Sequence, residues 1–422
     1  MIASATGRVV RTLGAIVTAT LPGARVGDGA RIRRRDGSDL VADVTAIERS
    51  EVRLAAYGDV GGIAAGDPVE IAPDALRLPG GFALLGRGLD GTGEPLDGGP
   101  RLVSAHRRRP SRAPSPDERL PVDAPFWTGV RAIDGLLTIG RGARVGVFGA
   151  PGAGKSSLLE AVAGGARGDA IVLGLVGERG REAQRWLERL DARTTVICAT
   201  SDRSAPERVR AAELAMHHAA VLRDRGLHAV LVLDSLARYA AAVREVRGAL
   251  GEPAGRGGYP ASVWAEFARY LERAGNGGRG SVTLLATVLS DGADEREPLA
   301  DAARSLLDGH IVLSPALARA GRFPAIDVLA SASRTMAGVV DAAWRADAAR
   351  VRAALAYLAE TADAREMGFA GRADPAAEAA LAAEPAIEAF LRHAGRSPAA
   401  ATRAALRELA LRLDPCRSAP SA

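Results

Sequence analysis

Lysine is nearly absent from this chain of 422 residues: of 55 basic residues, 54 are arginine and one, Lys155, is lysine. Solvated faces accept either cation, so compositional drift accounts for the arginines. Position 155 has kept a compact ammonium on a thin stem, which marks it as a site. Cysteine is almost as scarce, with Cys198 in an apolar strand-like run and Cys416 in a polar tail. That excludes a disulfide scaffold and fits a reducing cytoplasm. Aromatic residues make up 4% of the chain, and residues 1–75 hold only Tyr57, too few for a surface that stacks single-stranded nucleic acid. No run approaches the roughly 18 uninterrupted apolar residues of a membrane span, and Met1–Arg11 lacks the apolar stretch of a signal peptide. The net charge is +5, but arginines and acids are interspersed, so no block of charge points to a polyanionic partner.

The length and the 47% of apolar residues are those of two or three globular domains. Residues 1–78 read as short strands at Gly7–Val10, Gly14–Ala19, Ala30–Arg33, Leu40–Ile47, Val52–Ala55 and Val69–Ile71. Gly, Asp or Pro turn chemistry follows each, and the even spacing predicts a small closed β-barrel. Residues 79–122 read as a connecting segment, with the basic, proline-rich run His106–Pro116 as a solvated linker. From 123 to 345, apolar runs at Val145–Phe148, Ala170–Val176, Thr195–Cys198, Ala229–Leu233, Val282–Leu289 and His310–Leu313 alternate with helical segments. That is the pattern of an α/β fold with a parallel sheet buried on both faces. Residues 346–422 are rich in Ala, Leu, Arg and Glu, with helical spacing in Val351–Leu358 and Ala404–Leu411, and predict a C-terminal helical domain.

The strongest motif is Gly149-Ala150-Pro151-Gly152-Ala153-Gly154-Lys155-Ser156, which fits G-x-x-x-x-G-K-[ST] between an expected strand and an expected helix. Its glycines let backbone N–H groups converge on phosphate at a helix N-terminus. Lys155 would reach the β- and γ-phosphates, and Ser156 would offer its hydroxyl to Mg²⁺. Asp234 ends the apolar run Leu227–Asp234 and, given the loop, is a candidate to hold Mg²⁺ through water. Gly177-Glu178-Arg179-Gly180-Arg181-Glu182 ends another strand, where a carboxylate could orient the attacking water. Spacing alone leaves Glu178 and Glu182 both open.

These blocks, together with Thr128–Asp134, Ala199–Arg203, Leu233–Ala240, Gly251–Pro253, Gly258–Pro260, Leu271–Gly275, Leu307–Leu313 and Pro324–Ser331, resemble the ATPases of type III protein secretion and flagellar export. Those are relatives of the catalytic subunit of F-type ATP synthases. The resemblance runs from Leu84–Arg87 to Pro385–Ile387 and is strongest from 123 to 335. It implies a RecA-like P-loop core between the barrel and the helical domain, with ATP and Mg²⁺ as cofactors. It selects Glu178 as the catalytic glutamate and Arg334 as an arginine that reaches a neighbouring subunit's site. It also places Phe323, where the family usually carries Tyr, against adenine. Nucleotide contacts are implied at Gly149 through Ser156, at Ser157 and at Arg179, and metal contacts at Ser156 and Asp234. The function implied is ATP hydrolysis in a homohexameric ring, coupled to chaperone release and substrate unfolding, with Val246–Pro253 facing the pore. The implied partners are the apparatus stalk, a stator-like regulator, chaperone–substrate complexes and the membrane export gate, at the cytoplasmic face of the inner membrane. The few residues ahead of the first strand favour the injectisome form over the flagellar one. A catalytically silent ring subunit would lack a glutamate at 178, and a hexameric RNA translocase would need aromatics on the barrel.

Overall fold

The computed structural model describes residues 6–102, 106–108, 111–289, 298–367, 374–393 and 395–414; Cys416 lies outside them. Alternating apolar and polar residues build six strands first: β1 (Thr6–Leu13), β2 (Ile16–Thr20), β3 (Gly29–Arg33), β4 (Asp39–Glu48), β5 (Glu51–Tyr57) and β6 (Pro68–Ile71). They close into a barrel in the order β1-β2-β5-β4-β3-β6, with Gly7 opposite Val69 where the last strand returns to the first. Closure leaves no unpaired edge, and Val17, Ala19, Ile32, Leu54 and Val69 fill the interior. Gly7 is obligatory at the crossing of β1 and β2, since a Cβ there would lie 1.6 Å from the Thr20 carbonyl oxygen.

The strands that follow are β7 (Gly88–Asp90), β8 (Arg144–Gly149), β9 (Ala170–Val176), β10 (Thr194–Ala199), β11 (His228–Asp234), β12 (Ser281–Leu289), β13 (Gly309–Leu313) and β14 (Ile326–Ser333). The principal helices are α1 (Lys155–Gly165), α2 (Gly180–Leu187), α3 (Ala205–Asp224), α4 (Leu236–Ala249), α5 (Ala261–Leu271), α6 (Ala342–Glu360), α7 (Pro375–Leu391) and α8 (Ala399–Arg412). The chain forms two compact units.

The first unit takes residues 1–119, 169–282 and 297–302. Besides the barrel it contains parallel strands in the order β11-β9-β10-β7. Helix α3 starts where Ser204 accepts from the Glu207 amide while the Glu207 carboxylate accepts from the Ser204 amide, a reciprocal cap that satisfies two otherwise orphaned donors. Its buried face of Leu214, Met216 and Ala219 covers these strands.

The second unit takes residues 120–168, 283–296 and 303–422. Here β8 lies between β12 and β13, parallel to both, and β14 runs antiparallel on β13. The C-terminal helices belong to this unit. Asp341 caps α6 by accepting from the Trp344 amide at 2.8 Å, and the buried Trp344 indole donates to the Gly135 carbonyl at 3.0 Å. Arg407 of α8 pairs with the buried Asp347 of α6 at 2.8 Å.

The expected barrel, α/β core and C-terminal helices are all present. Residues 79–122 differ in part from the expected linker: β7 in their midst pairs parallel with β10, and His106–Arg108 pairs antiparallel with Leu78–Gly80. These strands are three residues long, too short to show a period in the sequence, and burial of Leu78, Leu84 and Leu89 anchors the segment. Among the described residues, no helix is long and apolar enough to cross a membrane.

Candidate active site

In the second unit, β8 delivers the chain into the glycine loop and α1 carries it away. Gly152 and Gly154 adopt φ +80 and +90, a region that a side chain would strain, and Gly154 is the N-cap of α1. Leu158, Leu159 and Val162 bury the helix against the unit, leaving Ser156 and Ser157 exposed at its first turn. The Lys155 ammonium folds back over the loop and donates to the carbonyls of Gly149 at 2.6 Å and Ala150 at 2.8 Å. Positive charge and the N-terminal dipole of α1 thus converge on one concave turn, which is an anion-binding arrangement. The half-exposed Phe323 ring lies beside it, 3.5 Å from where a Cβ on Gly154 would be. An exposed ring face at the phosphate loop suits a flat base.

Arg334 also belongs to this unit. It follows the last residue of the edge strand β14, where its amide donates to the Asp308 carbonyl at 2.9 Å. The side chain is exposed, and its Nη2 makes a long 3.3 Å contact with the Arg304 carbonyl. Among the described residues no carboxylate pairs with it.

The first unit holds the acids. Gly177 turns the chain at the end of β9 with φ +70, and Glu178 follows, only 7% exposed. Arg238, in the first turn of α4, lies with Nε 2.8 Å from Glu178 Oε1. Its stem packs on Gly177, where a Cβ would stand 3.0 Å from Arg238 Cδ. Burial pushes the Glu178 carboxyl up to about 7, and the neighbouring negative charges of Asp234 and Glu182 add to this, while Arg238 opposes it. A carboxyl half-ionised near neutrality is suited to orient and polarise water. Glu182 is less buried, in the first turn of α2. Of the two acids left open by spacing, Glu178 is the more buried and the one with the arginine beside it. Arg179 is exposed at the N-cap of α2. Asp234 ends β11 at 8% exposure, and Ser235 beside it caps α4 by accepting from the Arg238 amide at 3.2 Å.

Arg238, the arginine paired with Glu178, was not singled out by sequence reasoning. Its signal was its place in the Leu233–Ala240 block, four residues after Asp234, on the first turn of a helix leaving the strand end. Each of the two residues expected to contact Mg²⁺ carries a hard oxygen, a hydroxyl on Ser156 and a carboxylate on Asp234. No cluster of three or more His, Cys, Asp or Glu side chains among the described residues could hold an ion by itself.

A strand–glycine loop–helix turn with its lysine defines a P-loop nucleotide-binding protein. In agreement, residues 129–333 match the nucleotide-binding domain of the ATP synthase alpha/beta family. The chain is 42% identical over 394 residues to the type 3 secretion system ATPase of Sinorhizobium fredii, covering 92% of this chain and 87% of that protein. It is 41% identical over 399 residues to the flagellum-specific ATP synthase of Pseudomonas aeruginosa, covering 92% and 88%. Among solved structures, the assembled ATPase EscN of the enteropathogenic Escherichia coli type III secretion system is similar, with a TM-score of 0.89 and 38% identity over 96% of this chain and 100% of that one. EscN in complex with its central stalk EscO gives a TM-score of 0.88 at the same identity and coverage. The chain belongs to the family of type III secretion and flagellar export ATPases, and is an ATPase of that family.

Proposed function

We propose that this chain hydrolyses Mg-ATP as one subunit of a homohexameric ring in an injectisome-type secretion apparatus, using the energy to release chaperones and unfold export substrates. The observation that carries the hydrolytic reading is the sole lysine of the chain, held over the carbonyls of a glycine loop at a helix N-terminus. Ser156 through its hydroxyl and Asp234 through a water would hold Mg²⁺, which would supply charge neutralisation at the phosphates. Lys155 and the amides of Gly149 to Ser156 bind the phosphates, Ser157 and Arg179 add contacts, and Phe323 covers the base. Glu178 orients the attacking water and takes its proton, and its nearly neutral pKa permits both tasks. Arg334, exposed and without a carboxylate partner among the described residues, is free to extend to the neighbouring subunit's site. There a planar cation stabilises charge developing on the γ-phosphate.

Assembly is supported by the likeness to assembled EscN, and a stalk partner by the likeness to its complex with EscO. The stator-like regulator, the chaperone–substrate complexes, the export gate and a place at the cytoplasmic face of the inner membrane complete the reading. Flagellar export is the second reading, favoured by the equally high identity to a flagellum-specific relative. An RNA translocase is disfavoured, because the one aromatic of the barrel, Tyr57, has its ring covered by the Arg210 guanidinium at 5.1 Å.

The test is ATP turnover against protein concentration for the wild type, Glu178→Gln and Arg334→Ala. Turnover per chain is expected to rise steeply with concentration, and to fall by about 10³-fold or more in Arg334→Ala with nucleotide binding retained. Turnover independent of concentration, or surviving the loss of Arg334, overturns the shared site. Nucleotide binding without turnover in the wild type establishes a silent subunit instead.

A further inference from the structure

Helix α4 has one end at the catalytic acids and the other against the barrel. Its first turn carries Arg238, paired with Glu178. Its 14 residues span about 21 Å at the usual rise. At the far end the Gly251 amide donates to the Gly248 carbonyl at 2.9 Å and the Glu252 amide to the Arg247 carbonyl at 3.1 Å, with Gly251 at φ +91. This pair of bonds is the usual glycine-terminated helix end, and it leaves the Leu250 carbonyl pointing onward. Arg53 of the barrel takes it: Nη1 donates to the Leu250 oxygen at 2.7 Å across 197 residues of sequence.

The guanidinium does not reach Leu250 as a free surface arm. Its other nitrogen, Nη2, lies 2.9 and 3.0 Å from the two Glu48 oxygens, and the side chain is 20% exposed. Its backbone is fixed as well, because β4 bulges between Val44 and Ala46 and the Thr45 hydroxyl donates to the Arg53 carbonyl at 3.0 Å. A cation at a helix C-terminus also meets the negative end of the dipole. The segment beyond is tied further by Arg247, which pairs with Glu252 at 3.4 Å and with Glu266 of α5.

We propose that Arg53 is a positioning residue for energy coupling: it pins the C-terminal end of α4 to the barrel, so that displacement of Arg238 at the other end is delivered to the Gly251–Pro253 segment. The inference rests on the hydrolytic reading given above. Arg238 is a partly exposed cation with one carboxylate partner among the described residues, so phosphate arriving near Glu178 competes for it and pulls on the first turn of α4. A helix transmits such a pull along its axis, and a pinned end converts it into a change in the segment after the pin. Without Arg53 the same pull moves the helix end freely and is dissipated.

Hydrogen exchange on the full-length chain with Mg²⁺ and either ADP or a non-hydrolysable ATP analogue tests this. In the wild type the amides of Gly251 and Glu252 are expected to exchange at different rates in the two states. Arg53→Met keeps the apolar stem and loses both donors. It is expected to speed exchange of these two amides about ten-fold and to abolish the difference between nucleotides, with basal ATP turnover within about two-fold of wild type. Arg53→Lys, which can still donate to the Leu250 oxygen, restores part of the difference. A nucleotide-dependent difference that persists in Arg53→Met overturns the proposal. So does faster exchange throughout the barrel core around Val17 and Leu54, which would make Arg53 a purely structural residue. If no nucleotide alters exchange around Glu178 in the wild type, the hydrolytic reading itself fails and takes this inference with it.

Discussion

Replacing Glu178 with glutamine should make the protein more stable, by an amount that grows as pH rises from about 4.5 to above 7. In the folded chain this carboxyl is 7% exposed and titrates at about 7 rather than 4.5, because burial and the nearby Asp234 penalise its charged form more than Arg238 relieves it. A group whose folded pKa is raised binds its proton more tightly when folded. Its favourable contribution is therefore full below about pH 4.5 and is lost as pH rises through about 7. The size of the shift corresponds to about 3 kcal/mol, at 1.36 kcal/mol for each unit. Glutamine keeps the shape and never ionises, so it escapes the penalty. Urea unfolding of the full-length chain without metal or nucleotide should show wild type and Glu178→Gln equal at pH 4.5. At pH 8 the variant should be more stable by about 2–3 kcal/mol, although it has lost turnover. A stability difference that is the same at both pH values would refute the argument that burial and Asp234 set the pKa of this group.

Two further outcomes follow from the site. Gly177→Ala puts a side chain at φ +70 with its Cβ 3.0 Å from Arg238 Cδ, so thermal unfolding should show a loss of about 1–2 kcal/mol. With Arg238 displaced, the acid limb of its pH–rate profile should also move to higher pH. Phe323→Ala should weaken ATP binding about ten-fold in a fluorescence titration while Phe323→Tyr leaves it unchanged, since stacking needs only a ring face; equal binding by all three would remove Phe323 from the base site.

How much of this was legible in the linear chain depends on how far apart the cooperating residues lie. The phosphate loop occupies eight consecutive positions, and its conformation follows from glycines at the positive-φ positions between a strand and a helix, so its letters sufficed. The barrel strands and the buried parallel strands were readable because evenly spaced turn residues and unbroken apolar runs are local properties. Three-residue strands such as β7 carry no period, and only pairing with β10 makes them strands.

The composition and the motifs by themselves determined the fold class, the anion-binding loop and the lone lysine that serves it. Tertiary structure decided what depends on burial and on partners distant in sequence. Glu178 and Glu182 are alike as letters, and only packing buries the first beside an arginine sixty residues away. The link from Arg53 to Leu250 spans 197 residues and uses a backbone carbonyl. No side-chain pattern could have announced it, because every residue has that carbonyl and only the fold chooses which one is left without a partner.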